Sequence, residues 1–483
     1  MKPILLIHGY ASEGKDNNVK AIYGSLPDDL KGLFGDAVEE LDLSRWISLN
    51  DGISLDDVSF AMERALRSDN YKHLLESGFH VIIHSTGALV VKNWISLFSA
   101  KPSPINNLVH LAGANFGSGL AHIGRGQLSR WGRLIFGNTG RGLKVLNELE
   151  FGAWKTLDMH LEFLAPENDI YDDFEVQEFC LNGSQTLDLL RVVPIRYVKE
   201  DSSDNTVRTS SCNLNYNYIA VNPKESAFDL SIDELNDIIE LRLNDQPIDD
   251  VYYEYELDYL SENRREIPFA VVYETAHFGG DIGIVSGSDN RNSVLPLIEA
   301  AIKTPYADDA YQKVVELFKT ANDDTFNKAK DLRSNIFEWD KQSQYEGHAQ
   351  LIFRIVDQFG NAVEDFDITF KTHEFSKNQP RLEKMIEDQH GNKKDKGTIT
   401  FYLRTQSYDK VNREWIDLLN EVANLDIEIT GYEPLSGDIS YLPVNIHLTT
   451  DLIQRVIQNF RTTIVDVVLV RLPSEKVFNI EKC

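Results

Sequence analysis

The sequence is poor in cysteine and in positive charge, and each shortage excludes a class of protein. It has three cysteines, at Cys180, Cys212 and Cys483. Their spacing is not that of a metal site, so we expect reduced thiols, with a single Cys180–Cys212 disulfide left open. Against 76 acidic residues stand only 48 Lys and Arg, a net charge of −28. We therefore expect no nucleic-acid binding and no general attraction to anionic lipid surfaces, although a local basic patch is compatible with this charge.

Long apolar runs are also missing. The first one, Ile4–Ile7, is about four residues long, whereas the apolar part of a signal peptide takes about 7–15. No stretch approaches the roughly 20 apolar residues of a membrane span. We therefore expect a cytoplasmic protein, whose export would need a route that reads no N-terminal signal.

Length and texture together indicate more than one domain. At 483 residues the chain exceeds one ordinary domain. Apolar strand-like segments alternate with helical ones in the first part, and short strands separated by turns follow from about Gly347. We predict an α/β domain over residues 1–305, with a mostly parallel sheet and helices on both faces. A helical linker over 306–346 and an all-β, sandwich-like domain over 347–483 follow.

Ser85 lies at the corner between a strand-like and a helix-like segment, within Phe79–Val91. A sharp strand-to-helix corner pushes a serine hydroxyl out of the sheet, and the first helical turn leaves backbone N–H groups unpaired. Gly87 supplies a small neighbour, but Ile83 stands where the pattern G-x-S-x-G has its first glycine. This segment alone therefore fits either a nucleophile elbow or a strand end without chemistry.

Polar residues also follow the strand predicted over residues 3–7 and the strand predicted over 192–198. After the first, Gly9 permits close approach of the backbone to a ligand, and the N–H of Tyr10 is then available to an oxyanion. After the second, Asp201 and Asp204 lie on a polar loop. The bland alternative in both places is a turn whose residues only satisfy the backbone.

A histidine candidate and two insertions complete the first part of the chain. His277 follows the strand predicted over 269–273, beside glycines, where an imidazole can reach inward. Residues 113–191 are longer than a helical crossover needs and mix glycines with apolar side chains, which predicts a lid or a fixed excursion. The acidic segment 222–265 predicts a solvated, helix-containing excursion.

The motifs in this order resemble the α/β-hydrolase superfamily, in its serine lipase and esterase branch, over roughly residues 1–305. His8-Gly9-Tyr10 resembles the family's HG-aromatic oxyanion loop, and residues 81–87 resemble its nucleophile elbow. Residues 112–118 look like the T-P-H-x-G-S segment that opens the lid region of many bacterial lipases. Residues 203–207 and 275–277 resemble the loops that carry the acid and the histidine.

The resemblance implies a Ser-His-Asp triad that cleaves esters through an acyl-enzyme, without a metal or an organic cofactor. Ser85 would be the nucleophile, His277 the general base and Asp204 the acid, with Asp201 in reserve. The oxyanion hole would consist of the backbone N–H groups of Thr86 and Tyr10.

Two further residues near these motifs are expected to be non-catalytic. Ser118, between Gly117 and Gly119, is better explained by the lid entrance than as a nucleophile. His84, next to Ser85, is expected to pack at the elbow. Residues 357–361 and 388–392 are expected to be turns, because they lack the dense acidic spacing of a calcium site.

The favoured substrate is a lipid or another apolar carboxylic ester, since an apolar lid favours a lipase or phospholipase over a small-ester esterase. The β domain fits peripheral contact with a membrane or with a protein. One alternative is a phospholipase that acts as an exported toxin or defence effector. Another is a non-catalytic binding protein on a hydrolase scaffold.

Overall fold

The computed structural model describes residues 1–8, 22–47, 50–123, 143–186, 200–243, 254–259, 264–332, 341–372, 381–422 and 424–474. The chain forms two compact units. The first contains Met1–Asn215, Arg265–Glu346 and Tyr408–Glu414, and the second contains Tyr216–Arg264, Gly347–Ser407 and Trp415–Cys483. The chain therefore passes between the units several times, whereas the expected boundaries passed from one domain to the next along the sequence.

The strands, in chain order, are β1 Ile4–His8, β2 Val38–Asp42, β3 Phe79–His84, β4 Ile105–Leu111, β5 Gln177–Gly183, β6 Asn217–Pro223, β7 Tyr255–Tyr259, β8 Phe269–Val272, β9 His348–Asp357, β10 Asp365–Thr372, β11 Ile386–Gly391, β12 Thr398–Arg404, β13 Gln406–Asp409, β14 Glu414–Asp417, β15 Leu425–Tyr432, β16 Ile439–Tyr441, β17 Val444–Leu448, β18 Thr462–Leu469 and β19 Arg471–Pro473. The α-helices are α1 Leu26–Phe34, α2 Leu55–Leu66, α3 Lys72–Ser77, α4 Gly87–Phe98, α5 Leu143–Leu149, α6 Trp154–Glu162, α7 Thr209–Cys212, α8 Ile232–Leu243, α9 Arg291–Lys303, α10 Asp308–Ala329 and α11 Thr450–Val456.

The first unit contains a six-stranded parallel sheet in the order β2-β1-β3-β4-β5-β8. Its inner strands are buried along their length, as expected of a parallel sheet with both faces covered. Helices follow its strands, and α2 begins with a capping box between Ser54 and Asp57. The carboxyl ends of β3 and β8 therefore lie on one side of the sheet, where ligand sites of such sheets are found.

Strand β5 was not predicted, because its sequence QEFCLNG is half polar. The whole strand is nevertheless buried, and Glu178 within it pairs with Lys92 of α4. Residues 177–183, which the sequence placed in the lid segment, are therefore an internal strand of the sheet. The strand predicted over 192–198 lies outside the described residues, as do residues 124–142 of the candidate lid.

Helix α10, expected in the linker, belongs to the first unit. Asn322 accepts a hydrogen bond from Val271 N at 2.7 Å and donates one to Phe269 O at 2.8 Å. Thr325 Oγ1 donates to Val271 O at 2.8 Å. These side chains satisfy the free edge of β8, which would otherwise present unpaired backbone groups.

The second unit has two main sheets, in the orders β11-β12-β9-β18-β6-β7 and β10-β15-β17. Strand β18 pairs in parallel with both β9 and β6, whereas the other pairs are antiparallel. Apolar side chains of both sheets, such as Phe353, Ile427 and Val467, share one core. This arrangement matches the predicted sandwich-like domain.

The acidic segment 222–265 contributes to this sheet. It contains the end of β6, helix α8 and the edge strand β7, whose acidic residues Glu256 and Asp258 are exposed while Tyr255 is buried. The segment contains a helix, as predicted, but it also extends the sheet of the second unit, because β7 hydrogen-bonds to β6.

Two remaining expectations concern the thiols and the membrane. Cys180 and Cys212 are both free and buried, so the disulfide left open by the sequence is not formed. Cys483 lies outside the described residues. In the parts of the chain that the structure describes, no helix has the length and apolarity to cross a bilayer.

Candidate active site

Ser85 occupies the turn between β3 and α4 and has a φ of 56°. A positive φ is uncommon for a residue other than glycine and is concentrated at functional turns. Neighbouring backbone holds the turn, since Ser85 N donates to Leu111 O at 3.2 Å and Ser85 O accepts from Ala114 N at 3.2 Å. Ile83, which replaces the first motif glycine, is fully buried and pairs in register with Ile7 and His110.

His277 and Asp204 lie beside this serine. His277 Nε2 is 3.1 Å from Ser85 Oγ, and His277 Nδ1 is 2.8 Å from Asp204 Oδ2. Because an ionised carboxylate can only accept, Nδ1–H donates to Asp204 and Nε2 is left to accept the serine proton. The structure thus brings together the three residues that the sequence nominated from separate segments.

The Asp204 carboxylate is enclosed by its own loop. The side chain is buried, and Oδ1 accepts hydrogen bonds from Thr206 N at 3.1 Å and Val207 N at 2.8 Å. Asp204 O also accepts from His277 N at 2.8 Å. Asp201, the reserve candidate, instead accepts from Ser343 Oγ at 3.0 Å. Of the two aspartates, Asp204 is therefore the one that contacts the imidazole.

His84 packs against the candidate base, as the sequence led us to expect. The ring centroids of His84 and His277 are 4.5 Å apart, and His84 Nε2–H donates to His277 O at 3.2 Å. Burial, and then the neighbouring His277, hold the pKa of His84 well below its ordinary value of 6.5. His84 is therefore neutral near pH 7 and adds no competing charge beside His277.

Thr86 lies at the N-terminal end of α4 and is buried. The first N–H groups of a helix lack partners within the helix and carry a partial positive charge, which suits an oxyanion. Tyr10, the other expected donor, lies outside the described residues. The composition of the oxyanion hole therefore stays a prediction.

Two residues near the histidine loop were not found from the sequence. Asn290 Nδ2 donates to Thr275 Oγ1 at 2.9 Å and to Ile282 O at 3.0 Å, which ties the two ends of the loop together. At Gly183, an added Cβ would lie 2.0 Å from Thr275 O, so only glycine lets the loop pass. A glycine at the carboxyl end of a strand is a signal for such a close approach, but Asn290 leaves none.

The fold was compared with known proteins. No protein-family model and no curated protein matches the sequence. Phospholipase PlaB from Legionella pneumophila is similar in structure, with a TM-score of 0.77 and 21% sequence identity, over 100% of this chain and 96% of PlaB. The chain has the α/β-hydrolase fold. The structure of PlaB in complex with thio-NAD aligns over the same shares, with a TM-score of 0.77 and 20% identity.

The likeness confirms the α/β-hydrolase fold predicted from the motifs, together with the β sheets that follow it. It extends over the full length of this chain, and so it includes the second unit, which the motifs did not cover. At 21% identity, it is a likeness of fold.

Proposed function

We propose that the protein is a serine hydrolase that cleaves carboxylic esters of lipids. The observation that carries the proposal is the continuous pair of contacts from Asp204 through His277 to Ser85, at 2.8 and 3.1 Å. Its place at the carboxyl ends of parallel strands, at a serine with positive φ, is typical of a nucleophile elbow. The lipid substrate is supported by the likeness to a protein described as a phospholipase.

In the first half-reaction, Ser85 Oγ attacks the ester carbonyl and its proton passes to His277 Nε2. Asp204 stabilises the imidazolium and holds the tautomer. The N–H of Thr86, with that of Tyr10 as the second donor, stabilises the tetrahedral oxyanion. The intermediate collapses, the ester C–O bond breaks, and the leaving alkoxide takes the proton from His277.

In the second half-reaction, water attacks the acyl-serine ester and gives its proton to His277. The second tetrahedral intermediate expels Ser85 Oγ, which recovers the proton. The products are an alcohol and a carboxylic acid, and the enzyme returns to its starting state. No step requires a group beyond the side chains and backbone named above.

A substrate panel tests this function. We expect the protein to release fatty acid from phospholipids or triglycerides with long acyl chains, and to cleave short p-nitrophenyl esters more slowly. Free fatty acid is measured by mass spectrometry, with the Ser85→Ala protein as the blank. Cleavage of short esters alone would indicate an esterase, and an inactive protein that binds lipid would indicate a non-catalytic scaffold.

The second unit is proposed to contact the lipid surface through an apolar edge formed by Phe359, Tyr432 and Leu435. These side chains are 71%, 49% and 93% exposed. Large apolar side chains at such exposure are ordinary when scattered, but three on one edge favour an interaction surface.

Hydrogen bonds and an ion pair locate these residues at the same end of the unit. The Gln358 side chain donates to Arg471 O at 3.0 Å and accepts from Arg471 N at 2.8 Å. Arg471 Nη2 lies 3.6 Å from Glu433. The turn that carries Phe359 is therefore next to the segment that carries Tyr432 and Leu435. Because carboxylates such as Glu433 border this edge, uncharged lipid surfaces suit it better than anionic ones.

Replacement of both Phe359 and Leu435 by serine is expected to weaken binding to phosphatidylcholine vesicles by about tenfold or more, because each side chain loses its apolar burial. Vesicle co-sedimentation measures the binding. Hydrolysis of a soluble p-nitrophenyl ester should be unchanged. Val411→Ser is the matched control, since Val411 is 88% exposed on a loop of the first unit. Equal binding by the double variant and the wild type would contradict a lipid contact here.

A further inference from the structure

The segment that follows β4, residues 112–119, contacts the loop that carries Asp204. Ser118 is buried, and its Oγ donates to Thr206 O at 2.6 Å. Ser118 Oγ also accepts from Leu120 N at 3.3 Å. Its hydroxyl proton is therefore committed to the acid loop, which explains why this serine, in a glycine-rich setting, is not available as a nucleophile.

The carbonyl that Ser118 contacts belongs to the same peptide group as an N–H that supports the acid. Thr206 C=O and Val207 N–H form one planar peptide unit. Val207 N donates to Asp204 Oδ1 at 2.8 Å. A hydrogen bond to the carbonyl polarises the peptide and orients its plane, which strengthens the N–H as a donor. Ser118 thus acts on the Asp204 carboxylate through a single peptide group.

Further contacts join residues 112–119 to α7, directly after the acid loop. Phe116 N donates to Ser211 O at 3.0 Å, and Ser211 Oγ donates to Gly117 O at 2.7 Å. Asn115 Nδ2 donates to Cys212 O at 2.6 Å. These contacts hold the segment in register with the loop, so the position of Ser118 is defined on both sides.

The acid loop requires support from outside because its own backbone is strained. Asn205, between Asp204 and Thr206, has a φ of 88°, and Ser202 has a φ of 53°. Such conformations are unfavourable for non-glycine residues and persist where surrounding contacts hold them. The Ser118–Thr206 hydrogen bond is one of these contacts.

We propose that Ser118 is a positioning residue for the acid of the triad, because it fixes the Thr206–Val207 peptide whose N–H binds the Asp204 carboxylate. The proposal rests on the proposed ester hydrolysis through Ser85, His277 and Asp204. Ser118 makes no contact with substrate in this scheme. Its effect on the reaction passes through the position of Asp204.

The experiment is a double-mutant cycle between Ser118→Ala and Asp204→Ala, with kcat and KM measured on the best substrate of the panel. We expect Ser118→Ala to lower kcat by about 5- to 50-fold, the effect of one buried hydrogen bond, and to leave KM within about twofold. In the Asp204→Ala background, Ser118→Ala should lower kcat by less than about twofold, because residues that act through one group are not additive.

Two controls separate positioning from general destabilisation. Ser59→Ala removes a comparable buried bond, from Ser59 Oγ to Val90 O at 3.0 Å, far along the chain from the acid loop. We expect it to leave kcat unchanged even where thermal unfolding shows a similar loss of stability. Asp201→Ala tests the acid assignment, and we expect it to retain most of the activity.

The outcomes divide cleanly. An equal loss from Ser118→Ala in both backgrounds, or no loss in the wild-type background, would overturn the role of Ser118. Full activity in Asp204→Ala would overturn the triad itself and, with it, the proposal. A loss confined to proteins that retain Asp204 supports it.

Discussion

Replacement of Ser85 by alanine is expected to lower ester hydrolysis by about four orders of magnitude or more. The covalent route then has no nucleophile, and His277 Nε2 loses the hydroxyl that lies 3.1 Å away. Only substrate binding and the oxyanion donors remain, and these alone give modest rate enhancement. The rate should be measured on the most reactive ester of the panel, under conditions where hydrolysis in buffer has been subtracted.

A fluorophosphonate probe gives an independent reading of the same residue. We expect the probe to label the wild type on the peptide that contains Ser85 and to leave Ser85→Ala unlabelled. Ser59→Ala, which keeps the site intact, should be labelled like the wild type. Equal labelling of Ser85→Ala and the wild type would remove Ser85 from the mechanism.

Replacement of Glu178 by alanine is expected to destabilise the first unit by about 3–5 kcal/mol, because it leaves a buried ammonium without its partner. Lys92 Nζ lies 3.0 and 3.3 Å from the two oxygens of Glu178, and both side chains are almost completely buried. His110 Nε2 is 3.2 Å from one of these oxygens, although it lies outside hydrogen-bond alignment. Thermal or denaturant unfolding would measure the loss.

The matched control is the double replacement of Lys92 and Glu178 by methionine, which removes both charges and keeps apolar volume. Buried ion pairs commonly exchange for apolar residues at little cost, so this variant should be more stable than Glu178→Ala. If Glu178→Ala unfolds at the same temperature as the wild type, Lys92 has another way to satisfy its charge.

The same pair makes stability depend on pH. Burial by itself raises the pKa of Glu178, but Lys92 and then His110 outweigh it and lower the pKa to about 2, from an ordinary value of 4.5. A carboxyl with a depressed folded-state pKa contributes stability above its unfolded pKa and loses it as the pH falls toward the folded value. The advantage of the wild type over Glu178→Ala should therefore shrink between about pH 4.5 and 2.

Prediction from the sequence worked best where the structure depends on neighbouring residues. Ser85, Asp204 and His277 were each recognisable because a β-rich run ends in a polar or glycine-rich corner, and such corners are decided locally. The strand β5 was missed for the opposite reason. Its polar residues are compatible with burial only because partners such as Lys92 arrive from elsewhere in the chain.

The sequence by itself determined the α/β-hydrolase fold, the β-rich texture after about Gly347 and the residues at the carboxyl ends of the sheet. These follow from strand and helix periodicity and from turn chemistry, which act over a few residues. The tertiary structure decided the pairing of β6 with β18, which joins residues as distant as Asn217 and Thr463. It also decided the contact of Ser118 with the acid loop. Such contacts depend on packing between segments far apart in sequence, and no local pattern encodes them.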